Sequence, residues 1–135
     1  VSAHQTSSIQ FQGVQHVSVI VSNTGRALEF YMRVLGLTLN PERPDLGYPG
    51  AWLCVGGQEI HLLELPNPDP VQGRPVHAGR DRHSALVVHD LAPLQQALER
   101  EGIPYTLSRS GRRALFCRDP DGNAWEFIGT RGSAG

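Results

Sequence analysis

The chain has 135 residues, 19% of them charged, a formal net charge of −1 and two cysteines. That length suits one domain able to bury about two thirds of the surface of its unfolded chain. A nearly neutral chain offers no long-range field to nucleic acid or an anionic membrane, and no apolar run reaches the roughly 20 residues of a membrane span.

Residues 1–12 read as a loose polar lead-in, without the basic and apolar regions of a signal peptide. "VQHVSVIV" (14–21) is β-branched and predicts a strand. "SNTGRALEFYMRVLG" predicts a helix that Asn23 or Thr24 can cap. Its apolar stripe is Ala27, Phe30, Tyr31, Val34 and Leu35, and Gly36 can end it. "GAWLCVGGQEIHLLEL" predicts two strands around a Gly-Gly turn. On the second of them Ile60, Leu62 and Glu64 share one face, and Glu59, His61, Leu63 and Leu65 the other.

These elements make module one, residues 13–66. Residues 67–82, rich in Pro, Gly and charge, form a connector. Module two, residues 83–130, repeats the order, and residues 131–135 form a frayed tail. "RHSALVV" predicts a strand and "HDLAPLQQALEREG" a helix, capped by Asp90, with Leu91, Leu94 and Leu98 inward and Gly102 at its end. "IPYTLSR" predicts a short strand, and "RALFCRDPDGNAWEFIG" a hairpin with a longer turn.

Laid on one another, the halves match. At an offset of 67, His16 falls on His83, Val21 on Val88 and Asn23 on Asp90. At 63, "AWLC" falls on "ALFC", so Cys54 meets Cys117. At 65, Gly57 meets Gly122, Ile60 meets Trp125 and His61 meets Glu126. The offset changes in loops, where insertions cost little. The two cysteines lie in apolar strands without a Cys-x-x-Cys spacing, which excludes a zinc ribbon and favours free thiols in a reducing cytoplasm.

The repeat sets four residues of ligand type at two pairs of equivalent positions: His16 with His83, and His61 with Glu126. Three imidazoles and a carboxylate suit a divalent ion such as Zn, Ni, Co, Mn or Fe. A carboxylate on the buried strand "NAWEFI" is costly to desolvate unless a cation meets it. Against this, a histidine on an apolar strand is more often a hydrogen-bonded core residue, and Glu64 stands near enough to compete for His61. Trp52 and Phe116, on the middle strands of the hairpins, can wall a substrate pocket or simply pack. His4, His77 and His89 read as surface residues, and Arg80, Asp81 and Arg82 as a solvated loop.

"GVQHVSVIVSNTGRALEFYMRVLGLTL", "RHSALVVHDL" and above all "FCRDPDGNAWEFIG" resemble the vicinal oxygen chelate superfamily, which includes glyoxalase I, methylmalonyl-CoA epimerase, fosfomycin thiol transferases, bleomycin-resistance proteins and extradiol dioxygenases. The resemblance spans about residues 13–130. It implies an α+β fold of two paired βαβββ modules. Their curved mixed sheets enclose a metal site, often shared between the two chains of a homodimer. It also implies metal ligands at His16, His83 and Glu126, and at His61 where glyoxalase I has a glutamate and the epimerases a glutamine.

That last position departs from the pattern and leaves Glu126 as the single carboxylate ligand. Glu126 and His61 become the candidate catalytic pair, with a small oxygenated molecule as substrate and no nucleic-acid or membrane partner. Three activities stay open: a lyase or isomerase that stabilises an enolate, an Fe(II) dioxygenase using His16, His83 and Glu126, and a drug- or metabolite-binding protein without catalysis.

Overall fold

The computed structural model describes residues 8–131. His4, residues 1–7 of the lead-in and residues 132–135 of the tail lie outside the described residues. Eight strands and two helices follow in the order β1 (His16–Val21), α1 (Thr24–Leu28, continuing as a π-helical turn over Glu29–Val34), β2 (Thr38–Leu39), β3 (Gly50–Val55), β4 (Gln58–Glu64), β5 (His83–Val88), α2 (Leu91–Arg100), β6 (Tyr105–Leu107), β7 (Ala114–Arg118) and β8 (Ala124–Gly129). They make two four-stranded mixed sheets, ordered β1-β4-β3-β2 and β5-β8-β7-β6, so the α+β class and the doubled βαβββ topology agree with the sequence reading. In each sheet the first strand runs parallel to the last.

Both helices start and stop on local chemistry. The Asn23 side chain accepts the Arg26 N–H at 2.8 Å, and that of Asp90 accepts the Ala92 N–H at 3.0 Å. Gly36 and Gly102 end them at φ of 78° and 68°, a conformation that costs other residues a Cβ clash. The wide turn was not visible in the sequence. There the Leu35 N–H donates to the Phe30 carbonyl at 3.0 Å, and both Phe30 and Tyr31 are buried. The two-residue β2 was not foreseen either.

Strand alternation then sorts the side chains. One face of each sheet packs into a single core, with Leu53, Ile60 and Leu62 from the first sheet, Leu115, Trp125 and Phe127 from the second, and Phe30, Tyr31 and Leu98 from the helices. The other faces carry His16, Trp52, Glu59 and His61 on the first sheet, and His83, Phe116 and Glu126 on the second.

Register corrects one expectation. His61 pairs with Trp52, and Glu126 with Phe116, so the middle strands correspond at an offset of 64, not 63. Cys54 therefore pairs with Glu59 on the His61 face, whereas Cys117 pairs with Trp125 in the core. They are not equivalent, because a one-residue slip turns a strand's side chains to the opposite face. Both are free thiols, and burial pushes the Cys117 thiol up to about 12.

The β7–β8 turn joins the modules. Asp119 Oδ1 accepts the N–H groups of Asp121 and Asn123, each at 2.9 Å. Its Oδ2 accepts the Tyr31 hydroxyl at 2.6 Å and the Asn123 amide at 2.8 Å, and the Trp125 indole N–H donates to the Tyr31 oxygen at 2.9 Å. The Asn123 amide also reaches the Ile20 carbonyl at 3.0 Å, and Arg26 reaches that of Pro120 at 2.8 Å. Burial raises the Asp119 carboxyl above its ordinary value despite these bonds. "DPDGN" is thus a structural joint between the two halves.

Candidate active site

Glu126 sits on β8, an inner strand of its sheet, and is 3% exposed. Its Oε1 lies 3.1 Å from Nε2 of His83, the first residue of β5. His83 Nδ1 lies 2.9 Å from the Asp81 carbonyl, which can only accept, so Nδ1 carries the hydrogen and Nε2 faces the carboxylate. Two lone pairs would repel at that distance. Either a proton lies between them, on Nε2 or on the carboxyl, or the two atoms share a cation. A nitrogen and an oxygen about 3 Å apart also form the edge expected of two ligands each about 2.1 Å from one ion, with the carbonyl as the outer partner that orients the imidazole. The donor pair therefore fits a divalent ion.

The segment before His83 is held firmly. The Asp81 carboxylate accepts Arg118 at 2.8 Å, Arg74 at 3.2 Å and the Arg82 N–H at 2.8 Å. Burial alone would raise its pKa, but the bonds from Arg118, Arg74 and the Arg82 N–H outweigh it and leave the carboxyl below its ordinary value. Asp81 is a half-buried hub, not part of a solvated loop. Arg82 does reach outward, to Asp69 at 2.7 Å.

His77 likewise corrects the surface expectation, at 8% exposed. A 3₁₀ turn, Ala78–Arg80, brings the connector over β7 and β8, and His77 Nδ1 bonds Thr106 Oγ1 at 2.7 Å. The rings of His77 and His83 both meet Phe116 edge-on, at 4.9 and 5.3 Å. Burial lowers the His77 pKa, with Arg109, Arg80 and His83 adding to the effect. A Cβ on Gly79 would stand 2.7 Å from His77 Nε2, so this close seat needs glycine. Phe116 is consequently covered, at 6% exposed.

The first sheet presents a different surface. Trp52, His61 and His16 stack across β3, β4 and β1, with ring centroids 4.4 and 3.8 Å apart and interplanar angles of 9° and 14°. His61 Nε2 lies 2.8 Å from Glu59 Oε1, and Asn40 donates to the other Glu59 oxygen at 2.9 Å. The bond from His61, then that from Asn40, lowers the Glu59 pKa. His16 Nδ1 faces Gln15 Oε1. Glu64 turns to the opposite face, where its Oε1 accepts the Thr24 N–H at 2.7 Å and hydroxyl at 2.9 Å. The competitor for His61 is therefore Glu59, not Glu64.

The four candidate ligands thus form two pairs, His16 with His61 and His83 with Glu126, each on its own sheet. Among the described residues no three His, Cys, Asp or Glu side chains gather to hold an ion within one chain. Whether the four meet within one chain or between two is left open by the sequence. Alternation alone does not set the distance between two sheets. His83 also borders a cleft of about 320 Å³, shared with Ser18 and Ile20 of β1 and with Arg74 and Arg82. Sequence reasoning missed Asp81, His77, Glu59 and Arg112, whose Nη2 donates to Glu126 Oε2 at 3.2 Å. Only Glu59 carried a signal, as the residue two before His61 on the same strand face.

Among the described residues no helix is long and apolar enough to cross a membrane. A family model for the glyoxalase/bleomycin resistance protein/dioxygenase superfamily matches residues 13–127. The chain is 29% identical over 119 residues to Glyoxylase I 4 of Arabidopsis thaliana, covering 84% of this chain and 68% of that one. It is 25% identical over 122 residues to the glutathione transferase FosA of Serratia marcescens, covering 86% and 79%. A solved structure of a glyoxalase-family protein from Bacillus anthracis matches with a TM-score of 0.75 and 26% identity, over 90% of this chain and 97% of that one. With the doubled βαβββ topology and a family match over most of its length, the chain belongs to the glyoxalase/bleomycin resistance protein/dioxygenase superfamily.

Proposed function

We propose that this protein is a divalent-metal-dependent enzyme acting on a small oxygenated substrate, a lyase or isomerase, with its centre completed between two copies of the chain. The observation that carries this reading is the His83–Glu126 pair, 3.1 Å apart, with the far nitrogen of His83 committed to a carbonyl. His83 and Glu126 of one copy would hold the ion together with His16 of the other. An ion there would act as a Lewis acid on a substrate carbonyl, a contribution of several kcal/mol.

His61 has a separate role in this reading. Its faces are covered by Trp52 and His16 and its Nε2 is engaged by Glu59, which argues for work beside the ion rather than on it. With Nε2–H donated to Glu59, Nδ1 is the basic atom, suited to take a proton from carbon next to the carbonyl. Trp52 holds the ring flat and offers the substrate an apolar wall. The same engagement of His61 favours a second reading, in which His16, His83 and Glu126 form a 2-His-1-carboxylate set for Fe(II) and oxygen. The free thiols Cys54 and Cys117 support a reducing, cytoplasmic setting.

Metal analysis of protein purified without added metal separates these readings. Zinc, nickel, cobalt or manganese supports proton transfer, and iron with oxygen-sensitive turnover supports the dioxygenase. No retained metal, with ligand affinity unchanged by chelation, overturns both in favour of a binding protein. The shared centre is tested by mixing a His16→Ala chain with a Glu126→Gln chain. Random exchange gives half mixed dimers with one whole site in two, so about a quarter of wild-type metal content returns. No recovery sinks the shared site.

A further inference from the structure

Glu126 carries a second contact that the reading above leaves unused. Its Oε2 accepts Nη2 of Arg112 at 3.2 Å, and the Arg112 side chain is 58% exposed while that of Glu126 is 5% exposed. A solvent-facing guanidinium therefore bends inward onto a buried carboxylate. It comes from the β6–β7 loop, residues 108–113, reading "SRSGRR". The loop is shaped by its own serines, with Ser108 Oγ and Ser110 Oγ 2.9 Å apart and the Ser110 N–H donating to Ser108 Oγ at 3.2 Å. Gly111, at φ of 82°, turns the chain so that Arg112 leaves it next to β7.

A buried carboxylate needs positive charge beside it, and here Arg112 supplies it at Oε2 while His83 Nε2 meets Oε1. A divalent ion on the His83–Glu126 pair would take over that role and repel the guanidinium. Arg112 is anchored to its loop and would then stand at the mouth of the site with its fork unpaired. A planar guanidinium pairs best with a carboxylate through two parallel hydrogen bonds, and a carboxylate is the group it meets now.

We propose that Arg112 receives the carboxylate of an anionic substrate, a small 2-oxo or 2-hydroxy acid, once a cation has released it from Glu126. This rests on the cation reading of the His83–Glu126 pair. It makes Arg112 a specificity-determining residue, and Glu126 the partner that parks it between turnovers.

The test uses the chain of residues 1–135 and two probes. Mn²⁺ binding is followed by calorimetry, and pyruvate is compared with the uncharged pyruvamide on the Mn²⁺-loaded protein by water-proton relaxation. In the wild type, pyruvate binds more tightly than pyruvamide. Arg112→Gln keeps or tightens Mn²⁺ binding, because a competitor for Glu126 is gone, while the preference for pyruvate falls about tenfold. Arg112→Lys, a charge without a fork, falls between. Loss of Mn²⁺ binding in Arg112→Gln would make Arg112 a mere prop for Glu126 and overturn the proposal, as would an unchanged preference for pyruvate. If the wild type binds no Mn²⁺ at a site sensitive to Glu126→Gln, the cation reading itself fails, a distinct result.

Discussion

The two modules share a topology and a register, yet treat equivalent positions in opposite ways. In the first, His61 is held between two aromatic faces, with its Nε2 on the carboxylate of Glu59. In the second, the equivalent Glu126 is buried beside His83 and under Arg112, because a carboxylate cannot be packed that way. Connections differ as well. A Gly-Gly turn closes the β3–β4 hairpin, whereas the β7–β8 turn is longer and spends its extra residues on the bond network around Asp119. One half presents a rigid platform; the other presents charge and grips the rest of the molecule. A duplicated scaffold can divide labour in this way because each copy keeps an apolar core face.

The largest effect comes from breaking the joint between the halves. Asp119→Ala removes the acceptor of four hydrogen bonds in a buried network, and we expect a loss of about 3 kcal/mol in chemical denaturation. Denaturation matching the wild type would show that the modules do not depend on this turn.

Next is the charge hub of the connector. Asp81→Asn should cost about 2 kcal/mol. Its folded-state pKa lies below the unfolded value, so its contribution is present above about pH 4 and lost as the pH falls through the folded value. Wild-type melting temperature should therefore drop more steeply than that of Asp81→Asn below about pH 4; parallel curves would refute the hub. Because the Asp81 carbonyl orients His83, metal affinity should also fall, by about tenfold.

The platform gives a smaller effect. His61→Phe preserves the stack and should keep stability within about 1 kcal/mol of wild type while removing the bond to Glu59. Turnover should fall at least a hundredfold with metal content retained if His61 moves a proton; lost metal would instead make it a ligand. The smallest change is expected for Arg33→Ala, which deletes the exposed pairs to Glu29 and Glu101 and should leave the thermal melt close to that of wild type.

Much of the fold was legible because it is written in short-range patterns: β-branched alternation, the caps Asn23 and Asp90, and the stops Gly36 and Gly102. The doubled order exposed the pairs 16/83 and 61/126, and the strand registers agree, His16 lying opposite Glu59 as His83 lies opposite Ala124. The middle strand was misaligned because a shared "A-x-x-C" outweighed the need for Trp52 and Phe116 to share a face with His61 and Glu126. The connector was opaque for another reason. Asp81 is held by Arg118, 37 positions away, and His77 by Thr106, 29 away, and no local pattern announces such partners. Arg112 was hidden likewise, as one arginine among three in a polar loop.

The 64-residue spacing of the central strands has a practical outcome for anyone building hybrids from this molecule. A hairpin transplanted from the back half to the front with its thiols superposed would arrive inside out, its tryptophan pointing at solvent and its acid aimed at the oily interior. Shifted by a single position, the same graft would swap one reactive surface for the other and leave the shared interior intact.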